Sequence, residues 1–322
     1  MTAIPTETLI TVFGGSGFLG RHVVRALAKR GYRIRVAVRR PDLAFHLQPA
    51  GRVGQIHAVQ ANLRHPGSVD AAVRDADAVV NLVGILFERG RQRFDAVQAH
   101  GAEVCAQSAA AHGARLVHIS AIGANEQSHS HYARSKATGE RLVRAAVPGA
   151  TILRPSIMFG PEDSFFNKFA AIARLAPALP LIGGGHTRFQ PVFAGDVASA
   201  VVAAIEGRAT PGATYELGGP AVWSFKELMQ YLLVTIERRR LLLPIPFGLA
   251  KLQAFFLQYL PTPLLTPDQV ELLRHDNVVS EEAKREQRTL EGLGITPTLM
   301  EAIVPSYLQR FRKTGQFTVR SI

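Results

Sequence analysis

Seven residues decide most of what this chain can become: Gly14-Gly15-Ser16-Gly17-Phe18-Leu19-Gly20. They follow Leu9-Ile10-Thr11-Val12-Phe13, a β-branched and aromatic run that reads as a strand. They precede Arg21 to Arg30, where Val23, Val24 and Leu27 share one helical face. Two glycine spacings overlap in the turn, Gly15-x-Gly17-x-x-Gly20 and Gly14-x-x-Gly17-x-x-Gly20. Between a strand and a helix, such a turn suits a pyrophosphate. The first glycines permit the tight turn, Gly17 lets the backbone approach the phosphates, and Gly20 lets helix pack on strand. The helix N-terminus aims its amide dipoles at the anion. Gly31 stops the helix and Arg33 to Val38 reads as the next strand, completing a βαβ unit.

The alternation continues. Strands are predicted at Gln55 to Val59, Ala78 to Val83, Arg115 to Ile119 and Ala150 to Leu153, with helices near 67 to 74, 92 to 112 and 131 to 146. The expectation is an α/β chain with a Rossmann-type, doubly wound parallel sheet. After Arg154 the rhythm breaks at Pro155, Gly160, Pro161, Pro177, Pro180 and Gly183-Gly184-Gly185. Strand-like pieces follow at Arg188 to Phe193 and Thr214 to Leu217, with a helix from Ala194 to Glu206 between them. Ser224 is an expected N-cap for a helix through Glu237, with Glu227 in the capping-box position. This divides the chain into a dinucleotide-binding domain over 1–160, to which 187–217 returns, and a smaller, mostly helical C-terminal region over 161–186 and 218–322, for assembly or a substrate cleft.

Length and composition bound the reading. A chain of 322 residues, at about 150 per domain, holds one large or two modest domains with a full core. Cys105 is the only cysteine, which excludes an intramolecular disulfide and a cysteine-based metal cluster and fits a reducing compartment. His129-Ser130-His131 has no neighbouring carboxylate or cysteine to complete a metal site, so a solvated loop is expected there and no metal. The formal charge of +12 suits phosphates, acidic lipid head groups or acidic protein surfaces. Basic residues are not interleaved with aromatics, so no nucleic acid is expected.

No apolar run is long enough for a bilayer and no secretory leader precedes Leu9, so the expectation is the cytoplasmic side. Phe247 to Leu260 is apolar apart from Lys251, Gln253, Gln258 and the Tyr259 hydroxyl, between Pro244, Pro246 and Pro261. It reads either as a core helix or as an interfacial or partner-docking helix, the preceding Arg238-Arg239-Arg240 leaning toward the second. A last helix is expected over about Pro297 to Phe311, its basic end complementing the dipole.

The residues also indicate which nucleotide. A fold that prefers NAD carries an acid near the end of its second strand for the ribose 2′-hydroxyl. Here Arg21 to Arg40 contains eight Lys or Arg and no acid, and the strand ends in Val38-Arg39-Arg40. Guanidinium groups there would clamp a 2′-phosphate, which favours NADPH. By topology Asn62 and Leu63 fall at the adenine edge, and Val83 and Gly84 on the path from pyrophosphate to ribose. Tyr132-Ala133-Arg134-Ser135-Lys136 sets a phenol and an ammonium on one helical face. A lysine so placed stabilises a phenolate and can hold a nicotinamide ribose while the tyrosine moves a proton.

With these motifs the sequence resembles the extended and atypical short-chain dehydrogenase/reductases over about residues 8 to 220. The carriers are the glycine turn, Asn81-Leu82-Val83-Gly84, His118-Ile119-Ser120, Tyr132 with Lys136, Leu153-Arg154-Pro155-Ser156-Ile157-Met158-Phe159-Gly160-Pro161, and Asp196-Val197-Ala198. Catalytic members place a hydroxyl two residues after the serine that ends the fifth strand, and this chain has Ile122 there. Losing that donor costs a developing oxyanion about 10²-fold or more in rate.

VFGGSGFLGRH, NLVGILFE, ISAIGAN, LRPSIMFGPEDSFFN and the apolar, Pro-rich Leu241 to Leu265 are similar to the nucleotide-binding accessory subunit family of respiratory complex I and its proteobacterial homologues. The resemblance implies a tightly bound, unreacted NADPH and partners among complex I subunits, with membrane lipid head groups as a further contact. It implies a peripheral place on the cytoplasmic face of the bacterial inner membrane, or the matrix side in a mitochondrion. It also implies a cofactor set of Gly14, Gly15, Ser16, Gly17, Phe18, Leu19, Arg39, Arg40, Asn62, Leu63, Val83, Gly84, Ser120, Tyr132, Lys136, Pro155 and Ser156, with Tyr132 and Lys136 catalytically vestigial. Two alternatives stand beside it: an active NADPH-dependent reductase, dehydratase or epimerase, and a soluble nucleotide-sensing regulator.

Overall fold

The computed structural model describes residues 5–260 and 263–313. In chain order the strands are β1 (Leu9–Phe13), β2 (Arg33–Val38), β3 (Ile56–Gln60), β4 (Ala78–Asn81), β5 (Arg115–Ile119), β6 (Thr151–Pro155), β7 (Met158–Phe159), β8 (Ala178–Ile182), β9 (Arg188–Phe189), β10 (Val192–Phe193), β11 (Thr214–Leu217), β12 (Trp223–Ser224) and β13 (Leu241–Ile245). The helices are α1 (Phe18–Lys29), α2 (Pro66–Val73), α3 (His100–Ala111), α4 (His131–Ala146), α5 (Phe166–Leu175), α6 (Ala194–Ile205), α7 (Phe225–Thr235), α8 (Phe247–Leu257), α9 (Pro267–Leu272), α10 (Glu281–Arg285) and α11 (Met300–Leu308).

They form two compact units. The first takes Met1–Pro155, Ala194–Leu217 and Ser280–Thr296; the second takes Ser156–Phe193, Gly218–Val279 and Pro297–Ile322. The first is built on a seven-stranded sheet, order β11-β6-β5-β4-β1-β2-β3, all parallel. Parallel strands buried on both faces are continuous apolar runs, which is why every residue of β1 and β4 is buried. Helices α1 and α6 pack together, as do α2, α3 and α4. The order of strands reverses beside β1, the position where such sheets open a crevice at their carboxyl ends.

Ser280–Thr296 returns to the first unit: Glu216 N donates to Arg288 O at 2.9 Å and the Arg208 guanidinium to Leu293 O at 3.0 Å. Sequence periodicity places this segment with the C-terminal region, because its tie to β11 is made across distant positions. Glu140 accepts two hydrogen bonds from Arg154, at 2.8 and 2.7 Å, and Glu216 and Arg144 approach the same cluster. Glu140 is buried, so this pair fastens α4 to β6 inside the unit.

The second unit is mostly helical but keeps three two-stranded ladders: β8 with β13, β7 with β10, and β9 with β12. Its core is aromatic, centred on Phe159, Phe166, Phe189 and Phe225 with Phe165 and Phe169 packed against them. Asn277 is a hub: its side-chain oxygen accepts from Ser156 Oγ at 2.7 Å and Ile157 N at 3.0 Å.

Several expected elements shift. Arg188 to Phe193 is two strands, not one, because the chain bends at Gln190-Pro191 and Gln190 N turns to Asn277 O. The helix expected over 92 to 112 begins with a π-helical turn at Asp95–Ala99 before α3. The Ser224 helix ends at Thr235, short of Glu237, whose φ of 53° is left-handed. Asp196 lies inside the first turn of α6. Leu241–Ile245, read only as apolar and Pro-rich, is a strand on β8. Pro261 lies outside the described residues.

Candidate functional site

The glycine turn is built by backbone geometry. Gly14 has a φ of 78°, a left-handed conformation that L side chains rarely adopt, and its N–H donates to Ala37 O. Gly17 N donates to Gly14 O at 3.0 Å, closing the turn. A Cβ on Gly20 would lie 2.4 Å from Gly14 O and 2.5 Å from the Gly15 carbonyl carbon, so α1 seats on the turn only with glycine there. The N-terminus of α1 begins at Phe18, three residues earlier than expected, and its first turn carries no acid. That leaves the positive end of the helix dipole available to an anion.

Strands β4 and β5 end beside the turn. Gly14's would-be Cβ falls 3.3 Å from Val83 Cγ2. Asn81 is buried, its oxygen accepting from Val83 N at 3.1 Å and its amide nitrogen 3.3 Å from His118 Nδ1. Ser130 caps α4, accepting from Ala133 N, and the helix then carries Tyr132 and Lys136 one turn apart. Lys136 is buried and its ammonium donates to Ile119 O at 3.1 Å, 6.0 Å from the Tyr132 ring centroid. A Cβ on Gly84 would stand 3.3 Å from Lys136 Nζ, so glycine keeps that face of the ammonium open. Tyr132 is half-buried with Phe94 edge-on to its ring at 5.8 Å.

Burial lowers the pKa of Lys136 to about 8, the nearby Glu140 carboxylate working against the fall. His118 is pushed down to about 3 by burial, with the Lys136 charge adding to it, so its imidazole is neutral at physiological pH. Three buried polar atoms here have no hydrogen-bond partner within the described protein: Ser120 Oγ, His118 Nε2 and Gln98 Oε1. Buried polar groups are almost always paired, so an orphan hydroxyl at the end of β5 fits a site that completes itself on a ligand. Ile122, at the position of the missing hydroxyl, is buried and its N–H donates to Pro155 O at 3.1 Å.

The structure therefore brings together Gly14, Gly15, Ser16, Gly17, Phe18, Leu19, Val83 and Gly84 at the strand ends, and Ser120, Tyr132 and Lys136 at the β5 and α4 side. Arg39 and Arg40 are exposed at the end of β2, and Arg40 is paired with Asp42 at 2.8 Å. Asn62 spends its side chain on a local turn, accepting from Arg64 N at 3.2 Å, while the side chain of Leu63 lies in the core. What those two positions offer a ligand is their backbone. Ser156 hydrogen bonds to Asn277 within the second unit. Sequence reasoning used His118 only as part of the motif His118-Ile119-Ser120 and passed over Gln98, because burial of a lone polar side chain leaves no periodic signature.

Among the described residues no group of three or more His, Cys, Asp or Glu is placed to hold a metal ion. Cys105 is buried, which pushes its thiol pKa up and makes it inert. The glycine turn, the open face of Lys136 and the unpartnered Ser120 hydroxyl together fit a nicotinamide dinucleotide.

Comparison with known proteins agrees. A profile of the NAD dependent epimerase/dehydratase family matches residues 10–218. The chain belongs to that family. A solved structure titled as the dTDP-glucose 4,6-dehydratase DesIV from Streptomyces venezuelae with NAD and TYD bound superposes with a TM-score of 0.70 at 20% identity, over 94% of this chain and 96% of that one. At that identity the likeness speaks for the fold alone.

Along nearly its whole length the chain also belongs with the subunit 9 family of the NADH dehydrogenase [ubiquinone] 1 alpha subcomplex. It is 37% identical over 318 residues to the mitochondrial member from Arabidopsis thaliana, across 95% of this chain and 78% of that protein. A protein named ceramide reductase from Caulobacter vibrioides is 36% identical over 201 residues, 62% of each chain. Homologues of this chain are thus complex I subunits on an epimerase/dehydratase fold. Among the described residues no helix is long and apolar enough to cross a membrane.

Proposed function

We propose that this chain is an accessory subunit of an NADH:quinone oxidoreductase, held peripherally on the cytoplasmic face of the membrane, and that it binds NADPH as a structural cofactor. The observation that carries the reading is the pairing of an intact dinucleotide cradle with Ile122 where a catalytic hydroxyl is needed. Whole-length similarity to complex I subunits supports the assembly role. The exposed Arg39 and Arg40 at the end of β2, with no acid nearer than Asp42, support a 2′-phosphate over a 2′-hydroxyl.

In this arrangement the glycine turn and the α1 N-terminus receive the pyrophosphate, Lys136 holds the nicotinamide ribose, and Ser120 donates to the ligand beside it. When bound, the nucleotide adds a hydride donor at the site. The chain's own residues orient it and exclude water, and binding to the folded state alone stabilises that state by mass action.

Three observations favour a second reading. Tyr132 and Lys136 persist, Ser120 Oγ is unpartnered, and a relative covering part of the chain is named a reductase. On that reading Ser120 replaces the missing hydroxyl and the protein is an NADPH-dependent reductase, dehydratase or epimerase.

Detergent-solubilised membranes of the native host, fractionated by size, separate the two. Migration in constant proportion with NADH:quinone reductase activity is expected, with Tyr132→Phe assembling normally. Recovery only as a small soluble species whose NADPH oxidation is abolished by Tyr132→Phe would replace the subunit reading with the enzyme.

A further inference from the structure

The loop that joins β3 to α2 is locked more firmly than a connection requires. Asn62 O accepts from His65 N at 2.8 Å, and Asn62 Oδ1 accepts from Arg64 N at 3.2 Å. Ser68 Oγ, on α2, accepts from Asn62 N at 3.1 Å and donates to His65 O at 2.8 Å. Leu63 fixes the same turn in the core. The long charged side chain carried by this turn is Arg64. A backbone held in one place lowers the ordering cost of using the side chain it bears.

The turn stands beside the end of β2. The two strands run parallel with Val38 opposite Gln60, and Ala61 N donates to Val38 O at 2.9 Å. The chain therefore leaves them side by side, one toward Arg39 and the other toward Arg64. The half-buried Arg64 makes one long side-chain bond, from Nη1 to Arg91 O at 3.5 Å, across to the loop that follows β4. The turn presenting that carbonyl is closed by reciprocal 3.0 Å bonds between Arg89 and Gln92. Charge separates the arginines of this edge. Arg40 is paired with Asp42 at 2.8 Å and Arg93 with Glu88 at 3.2 Å, whereas among the described residues Arg39 and Arg64 have no carboxylate partner.

We propose that Arg64 is a specificity-determining residue, a second arm of the 2′-phosphate clamp that closes from β3 on the phosphate Arg39 and Arg40 approach from β2. The inference rests on the NADPH reading and deepens it. A phosphate monoester near neutral pH carries close to two charges and three acceptor oxygens, more than guanidinium groups from one strand end can satisfy from one side. Arg64 brings a planar fork from the adjacent strand, with all but one of its donors unspent. A guanidinium merely stacked on the adenine would serve NADPH and NADH alike, so the difference between nucleotides decides the role.

The test is calorimetric titration of the purified full chain with NADPH, NADH, 2′,5′-ADP and 5′-AMP. Arg64→Gln is expected to weaken NADPH and 2′,5′-ADP about tenfold or more, and NADH and 5′-AMP less than about twofold. Arg64→Lys keeps the charge without the fork and is expected to fall between. The melting temperature without nucleotide should not move, since the side chain gives up only the 3.5 Å bond. Arg64→Met repeats the comparison if glutamine disturbs the turn. A wild-type chain that holds NADPH no tighter than NADH overturns the nucleotide reading and this inference with it. A wild-type chain that prefers NADPH, with the preference unchanged in Arg64→Gln and Arg64→Met, overturns this inference alone. Equal losses for ligands with and without the 2′-phosphate also overturn it and assign Arg64 to the adenine.

Discussion

The Lys136 ammonium sits 3.1 Å from the carbonyl oxygen of Ile119, so helix α4 and the end of strand β5 are joined by a buried cation. Its pKa of about 8 makes the stability of the nucleotide-free protein depend on pH in a defined direction. In the unfolded chain a lysine titrates near about 10.4. Between about 8 and that value the unfolded chain holds a proton that the folded one has released, so stability rises with pH across the window. Below pH 8 the full cost of burying the ammonium is present. Lys136→Met removes that cost. The variant should melt higher than the wild type at pH 7, with the difference closing toward pH 10, while losing at least about 30-fold in NADPH affinity. Thermal melts across pH and calorimetric titration check the two arms. A variant that melts lower at pH 7 would contradict the burial argument.

On the proposed reading, Arg39 and Arg40 carry the choice between nucleotides. Replacing both by alanine should weaken NADPH about 30-fold or more and NADH less than about threefold, because the lost contacts are charge-assisted bonds to a phosphate only one nucleotide has. Asp42→Asn, which releases Arg40 from its ion pair, should strengthen NADPH by a few-fold, about twofold to fivefold. Equal losses for both nucleotides in the double variant would sink the 2′-phosphate assignment.

Two glycines of one turn should fail differently. Gly20→Ala drives a methyl to 2.4 Å from Gly14 O, with only backbone to give way, and should destabilise the fold by about 2 kcal/mol or more. Gly17→Ala meets Gly14 O at 3.2 Å, a contact that small shifts relieve. It should leave the melting temperature of the free protein nearly unchanged and remove nucleotide binding by standing where the pyrophosphate approaches. Melting curves with and without NADPH distinguish the two.

Glu140→Gln should destabilise the protein by about 3 kcal/mol, since it strips the buried partner from Arg154 and leaves a guanidinium without its carboxylate. Denaturant titration measures it. Replacing the exposed Glu126, paired with Arg141 at 2.9 Å, should cost about 0.5 kcal/mol or less by the same assay.

Much of this molecule is written locally. The βαβ start follows from a β-branched run, a glycine turn and an apolar helical face, and the strands Arg33–Val38, Arg115–Ile119 and Thr214–Leu217 and the helix His131–Ala146 fall where periodicity places them. Ser224 and Glu227 form the reciprocal cap their spacing demands. The glycines and the Tyr132 and Lys136 pair were legible because turn geometry and helix spacing fix neighbours within a few residues.

What the tertiary structure alone decided depends on pairs far apart in the chain. Leu241–Ile245 becomes a strand only because Ala178–Ile182 lies beside it, and Ser280–Thr296 joins the sheet unit through Glu216 and Arg208. The orphan hydroxyl of Ser120 and the neutral His118 arise from burial, which no local pattern records. Helix α8 makes the division plain. Its sequence is apolar on most sides, broken only by Lys251 and Gln253, and so cannot say which apolar side is buried. Packing of Ala250 and Ala254 against Ile182 and Val270 turned the large side chains outward, because two methyl groups let the backbone approach the core closely and left the bulk with nowhere else to go.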